Sequence, residues 1–247
     1  MKKLLLAAVA SAVLSSGAFA ATLANDNATN VAYSDGWITG DNGGVGFGPW
    51  AITANGSGSG GFAGSYVGGT GLGNPTFGIY SGNNAAATVT AYRPFTGGGL
   101  TVGQSFNVDL GNTATIVGQI GLTLMSGSTA RWTLKFVGGG ANWLLNDGGS
   151  DFSAGQAYAP NTPLSFSLTY GGGSTYSYSF GTGSGNNFTA SADISNLDGV
   201  QFFSVDQGDN QNMGFNNLQV VPEPSTYALL ALSAAGLGAH LIRRRRR

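Results

Sequence analysis

The chain has 247 residues, 42% hydrophobic and only 9% charged, with 43 glycines, no cysteine and a formal charge of −1. The lack of cysteine excludes a disulfide-stapled scaffold and any zinc site built on thiolates. Seven of the ten basic residues lie at the two ends, so Ala21–Val221 keeps only Arg93, Arg131 and Lys135 against ten aspartates, a formal −7. Such an acidic body excludes the basic face that nucleic acid requires.

The first 20 residues read as a signal peptide. Lys2 and Lys3 precede an apolar run from Leu4 to Leu14, and Ala18-Phe19-Ala20 supplies a small-x-small cleavage site after Ala20. Removing residues 1–20 and 222–247 leaves a body of about 200 residues, which suits one all-β domain. A chain of that size buries roughly 70% of its unfolded surface, enough for a core without staples.

Asn25-Asp26-Asn27, Tyr33-Ser34-Asp35-Gly36-Trp37 and Gly40-Asp41-Asn42-Gly43-Gly44 through Trp50 set aspartates and two tryptophans among glycines. Two readings stand. Trp37 or Trp50 stacks on a pyranose ring, with Asp35, Asp41 and Asn42 as hydrogen-bonding partners. Alternatively both indoles close the end of a sandwich and Asp41-Asn42-Gly43 is a tight turn. Trp143, in Ala141-Asn142-Trp143-Leu144, fits a groove as well as a core, whereas Trp132 lies on the apolar phase of a strand.

Short β-branched and aromatic runs follow one another from Pro49 to Val221, separated by turn residues. In 131–136, Trp132, Leu134 and Phe136 alternate with Arg131, Thr133 and Lys135; 165–170 and 175–180 alternate likewise around Gly171-Gly172-Gly173. Strands apolar on one face and wet on the other, with no amphipathic helix among them, predict an all-β, antiparallel two-sheet β-sandwich of jelly-roll or concanavalin-like type. A parallel β-helix requires a fixed coil repeat, and the glycine clusters at 43, 97, 138, 148 and 171 are unevenly spaced. Asn55–Gly61 and Gly181–Asn187 are expected to be surface loops.

Asp206-Gln207-Gly208-Asp209-Asn210 concentrates oxygen ligands, which makes Asp206 and Asp209 candidates for calcium, although the loop lacks a bidentate glutamate. No other cofactor is expected. The body has no histidine, cysteine or glutamate, which excludes Ser-His-Asp and Cys-His chemistry. A glycan hydrolase built on two aspartates is the weaker alternative, and it needs carboxyl groups ~5–9.5 Å apart.

The last 26 residues divide into Pro222-Glu223-Pro224-Ser225-Thr226, an uncharged run from Tyr227 to Ile242, and Arg243–Arg247. Sixteen residues span ~24 Å as a helix, short against a ~30 Å hydrocarbon core, but arginines snorkel and the bilayer thins locally. The basic end fixes orientation and leaves the body outside the cytoplasm. The two prolines keep residues 222–224 extended, as a processing enzyme requires.

Pro222-Glu223-Pro224, the short span and the terminal arginines resemble the PEP-CTERM sorting signal, a pattern also seen under the label of an ice-binding-protein C-terminal region. The resemblance covers about a tenth of the chain. It implies Pro222, Glu223 and Pro224 as the element recognised by an exosortase-type enzyme, anchoring by one C-terminal transmembrane helix, and delivery to the surface or matrix of a Gram-negative cell. The stretch Asn25–Trp50 together with Arg93-Pro94-Phe95 through Phe106 is similar to a glycine-rich, concanavalin-like module of bacterial surface proteins, which implies sugar binding by analogy. The expected function is a non-enzymatic structural or adhesion role at the cell surface or in an exopolysaccharide matrix, with polysaccharide or matrix proteins as partners. The alternative is a carbohydrate-binding module.

Overall fold

The structure is a computed structural model that describes residues 22–56, 61–82 and 87–222. The signal peptide, the apolar run 227–242, Arg243–Arg247, Glu223 and Pro224 lie outside the described residues. Among those described, no helix is long and apolar enough to cross a membrane.

Residues Thr22–Val221 form one compact unit. Its strands are β1 (Ala24–Asp26), β2 (Ala51–Asn55), β3 (Phe62–Gly68), β4 (Thr76–Gly82), β5 (Thr88–Pro94), β6 (Ser105–Asn112), β7 (Gln119–Ser126) and β8 (Thr129–Val137). They continue as β9 (Asn142–Asn146), β10 (Phe152–Ala157), β11 (Leu164–Gly172), β12 (Thr175–Phe180), β13 (Gly183–Thr189), β14 (Gly199–Val205) and β15 (Met213–Val221). One sheet has the order β13-β12-β11-β6-β15-β4-β3 with β1 added on β15; the other has the order β10-β9-β8-β7-β14-β5-β2. Every ladder between these strands is antiparallel. The result is the jelly-roll-like sandwich that the alternation predicts.

Period-two patterning explains how the layers close. On β8, Trp132, Leu134 and Phe136 are buried while Arg131, Thr133 and Lys135 stay partly exposed. Inward rings from the two sheets then meet: Trp132 and Phe166 at 5.3 Å, Trp143 and Phe180 at 5.0 Å, and Phe202 stacked on Phe215 at 3.7 Å. Such contacts add about 0.5–1.5 kcal/mol each beyond the area they bury.

The loop expected at Gly181–Asn187 is corrected by β13, which pairs with β12. Its Gly-Ser-Gly-Asn-Asn sequence has poor strand propensity, but the ladder supplies its partners and Phe188 stacks on Tyr176 at 5.6 Å. Pairing likewise makes strands of β1, only three residues long, and of β10, which contains Gly155 and bulges against β9.

One inward position breaks the apolar rule. On β5 the inward phase is Val89, Ala91 and Arg93, so Arg93 enters the interior, where its side chain is fully buried. There it pairs with Asp26 at 3.0 Å, both side chains 0% exposed. It also donates to the Tyr33 hydroxyl at 3.0 Å, to the Gly43 carbonyl at 2.7 Å and to Asn42 Oδ1 at 3.1 Å. The Tyr33 hydroxyl donates to Asp26 and accepts from Gly43 N–H and Trp50 Nε1. The guanidinium lies 4.7 Å from the Trp50 ring centroid. This network ties residues 26–50 to the sandwich.

Candidate functional site

Three aromatic side chains project from the outward phase of β3 and β4, and each stands directly opposite a glycine. The pairs are Phe62 with Gly82, Tyr80 with Gly64, and Tyr66 with Gly78. A methyl group built on Gly82 would lie 2.6 Å from the Phe62 ring, and methyls on Gly64 and Gly78 would collide with Tyr80 and Tyr66. The missing Cβ atoms therefore let the rings fold down onto the sheet. On the opposite phase Phe77, Ile79 and Ser81 are buried, which fixes the register and keeps the rings outside.

The rings form a line: Phe62 and Tyr80 have centroids 5.9 Å apart, and Tyr80 and Tyr66 6.1 Å apart. Phe62 is 41% exposed, while Tyr66 and Tyr80 are half-buried. Asp209, Asn210 and Asn212, from the loop between β14 and β15, complete a groove of about 500 Å³ with these rings and Ser65. Asn212 Nδ2 donates to the Tyr66 hydroxyl at 2.9 Å and so joins loop to floor. Burial raises the Tyr66 pKa, and the Asn212 bond pulls against that shift, so the phenol stays a neutral donor and acceptor. Apolar faces below a polar wall suit a ligand with one apolar face and many hydroxyls.

A second concavity of about 350 Å³ lies on the same sheet over β6, β11, β12 and β15. Its Asp109 accepts from Ser165 Oγ at 2.6 Å and from Asn217 Nδ2 at 2.8 Å, and Asn107, Ser167, Ser179 and Gln219 line the rest. It offers amides and hydroxyls but no exposed ring.

Of the residues singled out in the sequence, Asp209 alone lines this groove, and the others sit elsewhere. Trp37, Trp50 and Trp143 are 2%, 1% and 3% exposed, so none of these indoles offers a face to a ligand. This corrects the stacking reading. Trp37 and Trp50 pack edge to face at 5.0 Å inside the sandwich, and Trp143 packs among Phe136, Tyr158 and Phe180. Asp41 Oδ2 accepts the Ile38 N–H at 2.9 Å and Asn42 Oδ1 accepts from Arg93, while Asp35 is exposed. Asp206 and Asp209 share one loop, Asp206 in the left-handed region at φ 55° and Asp209 on the groove wall. Among the described residues no three His, Cys, Asp or Glu side chains come together as a metal cluster. The signal that marks the groove is Phe62-x-Gly64-x-Tyr66 followed by Gly78-x-Tyr80-x-Gly82, ring and glycine alternating at period two.

Solved structures share the fold. A sialidase aligns with TM-score 0.54 at 9% identity, over 69% of this chain but only 16% of its own length. A structure reported with endo-acting O-glycanases of the human gut microbiota aligns with TM-score 0.53 at 8% identity, over 82% of this chain and 99% of that one. A carbohydrate esterase from the Shiga toxin-encoding bacteriophage phi24B gives 0.50 at 11%, over 82% and 98%. At these identities the likeness is one of architecture. No curated protein matches the chain in sequence. The family comparison concerns the tail, whose match starts on the last two residues of β15, where Val221 pairs with Ser105 and Pro222 follows it. Residues 220–247 match the PEP-CTERM protein-sorting motif, and the chain therefore carries the tail of an exported, sorted protein.

Proposed function

We propose that the sandwich is a non-enzymatic module that holds polysaccharide at the cell surface or in the extracellular matrix, to which the PEP-CTERM tail delivers it after exosortase-type processing. The observation that carries this reading is the line of three rings laid on glycines beneath Asp209, Asn210 and Asn212. Ring faces cover the C–H faces of a sugar, and the wall meets its hydroxyls. Proteins named for acting on saccharides share the architecture, which agrees with the reading at the level of fold. Support for a binding rather than a hydrolytic role comes from the inventory of acids. The body has no histidine, cysteine or glutamate, Asp26 is committed to Arg93, and Asp147 accepts from the Tyr176 hydroxyl at 3.0 Å.

Affinity electrophoresis of the processed protein in gels containing the producing cell's own exopolysaccharide tests this. Retardation is expected for the wild type, with and without calcium. Tyr80→Ala, which removes the central ring, should weaken it about tenfold, as loss of a ~1.5 kcal/mol ring contact predicts. A wild type that no gel retards contradicts the reading and favours a purely structural matrix role, and equal retardation of both proteins removes the ring line as the binding site.

A further inference from the structure

The shape and charge of the groove narrow the ligand further. Each ring occupies the outward position two residues along from the last, alternating between β3 and β4. That sets a pitch of roughly 6.6 Å along the strands, in keeping with the 5.9 and 6.1 Å between centroids. One sugar unit of an extended chain has a comparable length, so each ring meets one unit. The rings are not coplanar: successive planes differ by 47° and 41°. A crystalline polysaccharide presents a flat face and touches only one such ring at a time. A single hydrated chain rotates about its glycosidic bonds and follows all three.

Charge excludes acidic polymers. The groove is lined by Asp209 and by no lysine or arginine. Of the body's three cations, Arg93 is buried against Asp26, and Arg131 and Lys135 lie on β8 of the other sheet. A uronate or sulfate in the groove has no counter-charge and faces a carboxylate. Asp209 and Asn210 are exposed, and their side chains make no hydrogen bond to the described residues, so they are available to hydroxyls.

Resting on the saccharide reading above, we propose that the Phe62–Tyr80–Tyr66 line binds three consecutive units of a single, uncharged polysaccharide chain in solution. The second concavity, without exposed rings, is outside this subsite.

The test is calorimetric titration of the processed protein with cello-, xylo- and manno-oligosaccharides of one to six units. Microcrystalline cellulose and alginate serve as the flat and the acidic probes. Affinity for at least one neutral series should rise about two- to tenfold per added unit up to three and then level off. Phe62→Ala, which removes an end ring, should move that plateau from three units to two and leave disaccharide affinity unchanged. Asn107→Ala in the second concavity should change nothing. Both substituted side chains face outward, and an unchanged melting temperature verifies their folds. Binding only to the crystalline or the acidic probe, or a plateau that Phe62→Ala does not move, overturns this inference and leaves the saccharide reading standing. No binding to any probe overturns it too, and the gels with native exopolysaccharide then decide the saccharide reading separately.

Discussion

Arg93→Met is expected to destabilise the sandwich by about 3–5 kcal/mol, the usual cost of removing one partner of a buried ion pair. That is a large share of the roughly 5–15 kcal/mol by which a domain is stable. Methionine keeps much of the side-chain volume, so the loss comes from the groups left behind. Asp26 keeps the Tyr33 hydroxyl and the Asn27 N–H but loses its counter-charge. The Gly43 carbonyl and Asn42 Oδ1 lose a donor, and Trp50 loses the cation over its ring. Burial already pushes the Asp26 carboxyl up, with the Tyr33 hydrogen bond and the Arg93 charge pulling against it. In the variant the Arg93 pull is gone, so the carboxyl is pushed further up. The folded state then holds the Asp26 proton more tightly than the unfolded chain does, so the variant's stability falls as pH rises above the ordinary aspartate range. Urea denaturation at two pH values checks this: a lower midpoint with an unchanged slope, and a deficit that is smaller at pH 4 than at pH 7. A double variant, Asp26→Leu with Arg93→Met, should cost less than the sum of the single changes, because it removes the uncompensated charge.

Replacing Pro222, Glu223 and Pro224 with alanine is expected to abolish processing. The body ends on β15, whose last residue pairs with Ser105, and Leu23 N–H bonds to the Val220 carbonyl. The chain therefore leaves the ladder directly into the motif. Pro222 at that junction has no N–H to continue the ladder, and in sequence each of the two prolines disfavours helix in the residue before it. Three alanines remove both constraints and add helix-forming residues ahead of the apolar run 227–242. Pulse-chase labelling of the exported chain reads the result: the wild type is shortened at its C-terminus and reaches the surface, and the variant stays full-length. Equal processing of both would contradict recognition through this tripeptide.

Much of the architecture is legible in the chain because one face of each strand is buried. The alternation in β8, β11 and β12 identifies both the strands and the rings that meet across the sandwich. β13 is not legible, since nothing local in Gly183–Asn187 favours a strand; the partner β12 and the Phe188–Tyr176 contact supply the reason. The candidate site shows the same division. Tryptophans attract attention as sugar platforms, yet all four are buried, and Trp37 and Trp50 belong to the aromatic interior beside Arg93. Arg93 itself stands on the apolar phase of β5, after Val89 and Ala91, a local irregularity that a strand pattern alone reveals. The three-ring line depends on register. Phe62, Tyr66 and Tyr80 become one surface only when β3 and β4 pair so that each ring meets a glycine, a relation between two strands that neither contains by itself.

The most direct measurement is an NMR titration of the processed protein, with labelled aromatic side chains, against the producing cell's soluble exopolysaccharide. The ring signals of Phe62, Tyr66 and Tyr80 are expected to move and saturate together while the four indole signals stay in place. Movement of Trp37, Trp50 or Trp143 with no change at the three rings would contradict this, and so would saturation of binding with all the ring signals unmoved.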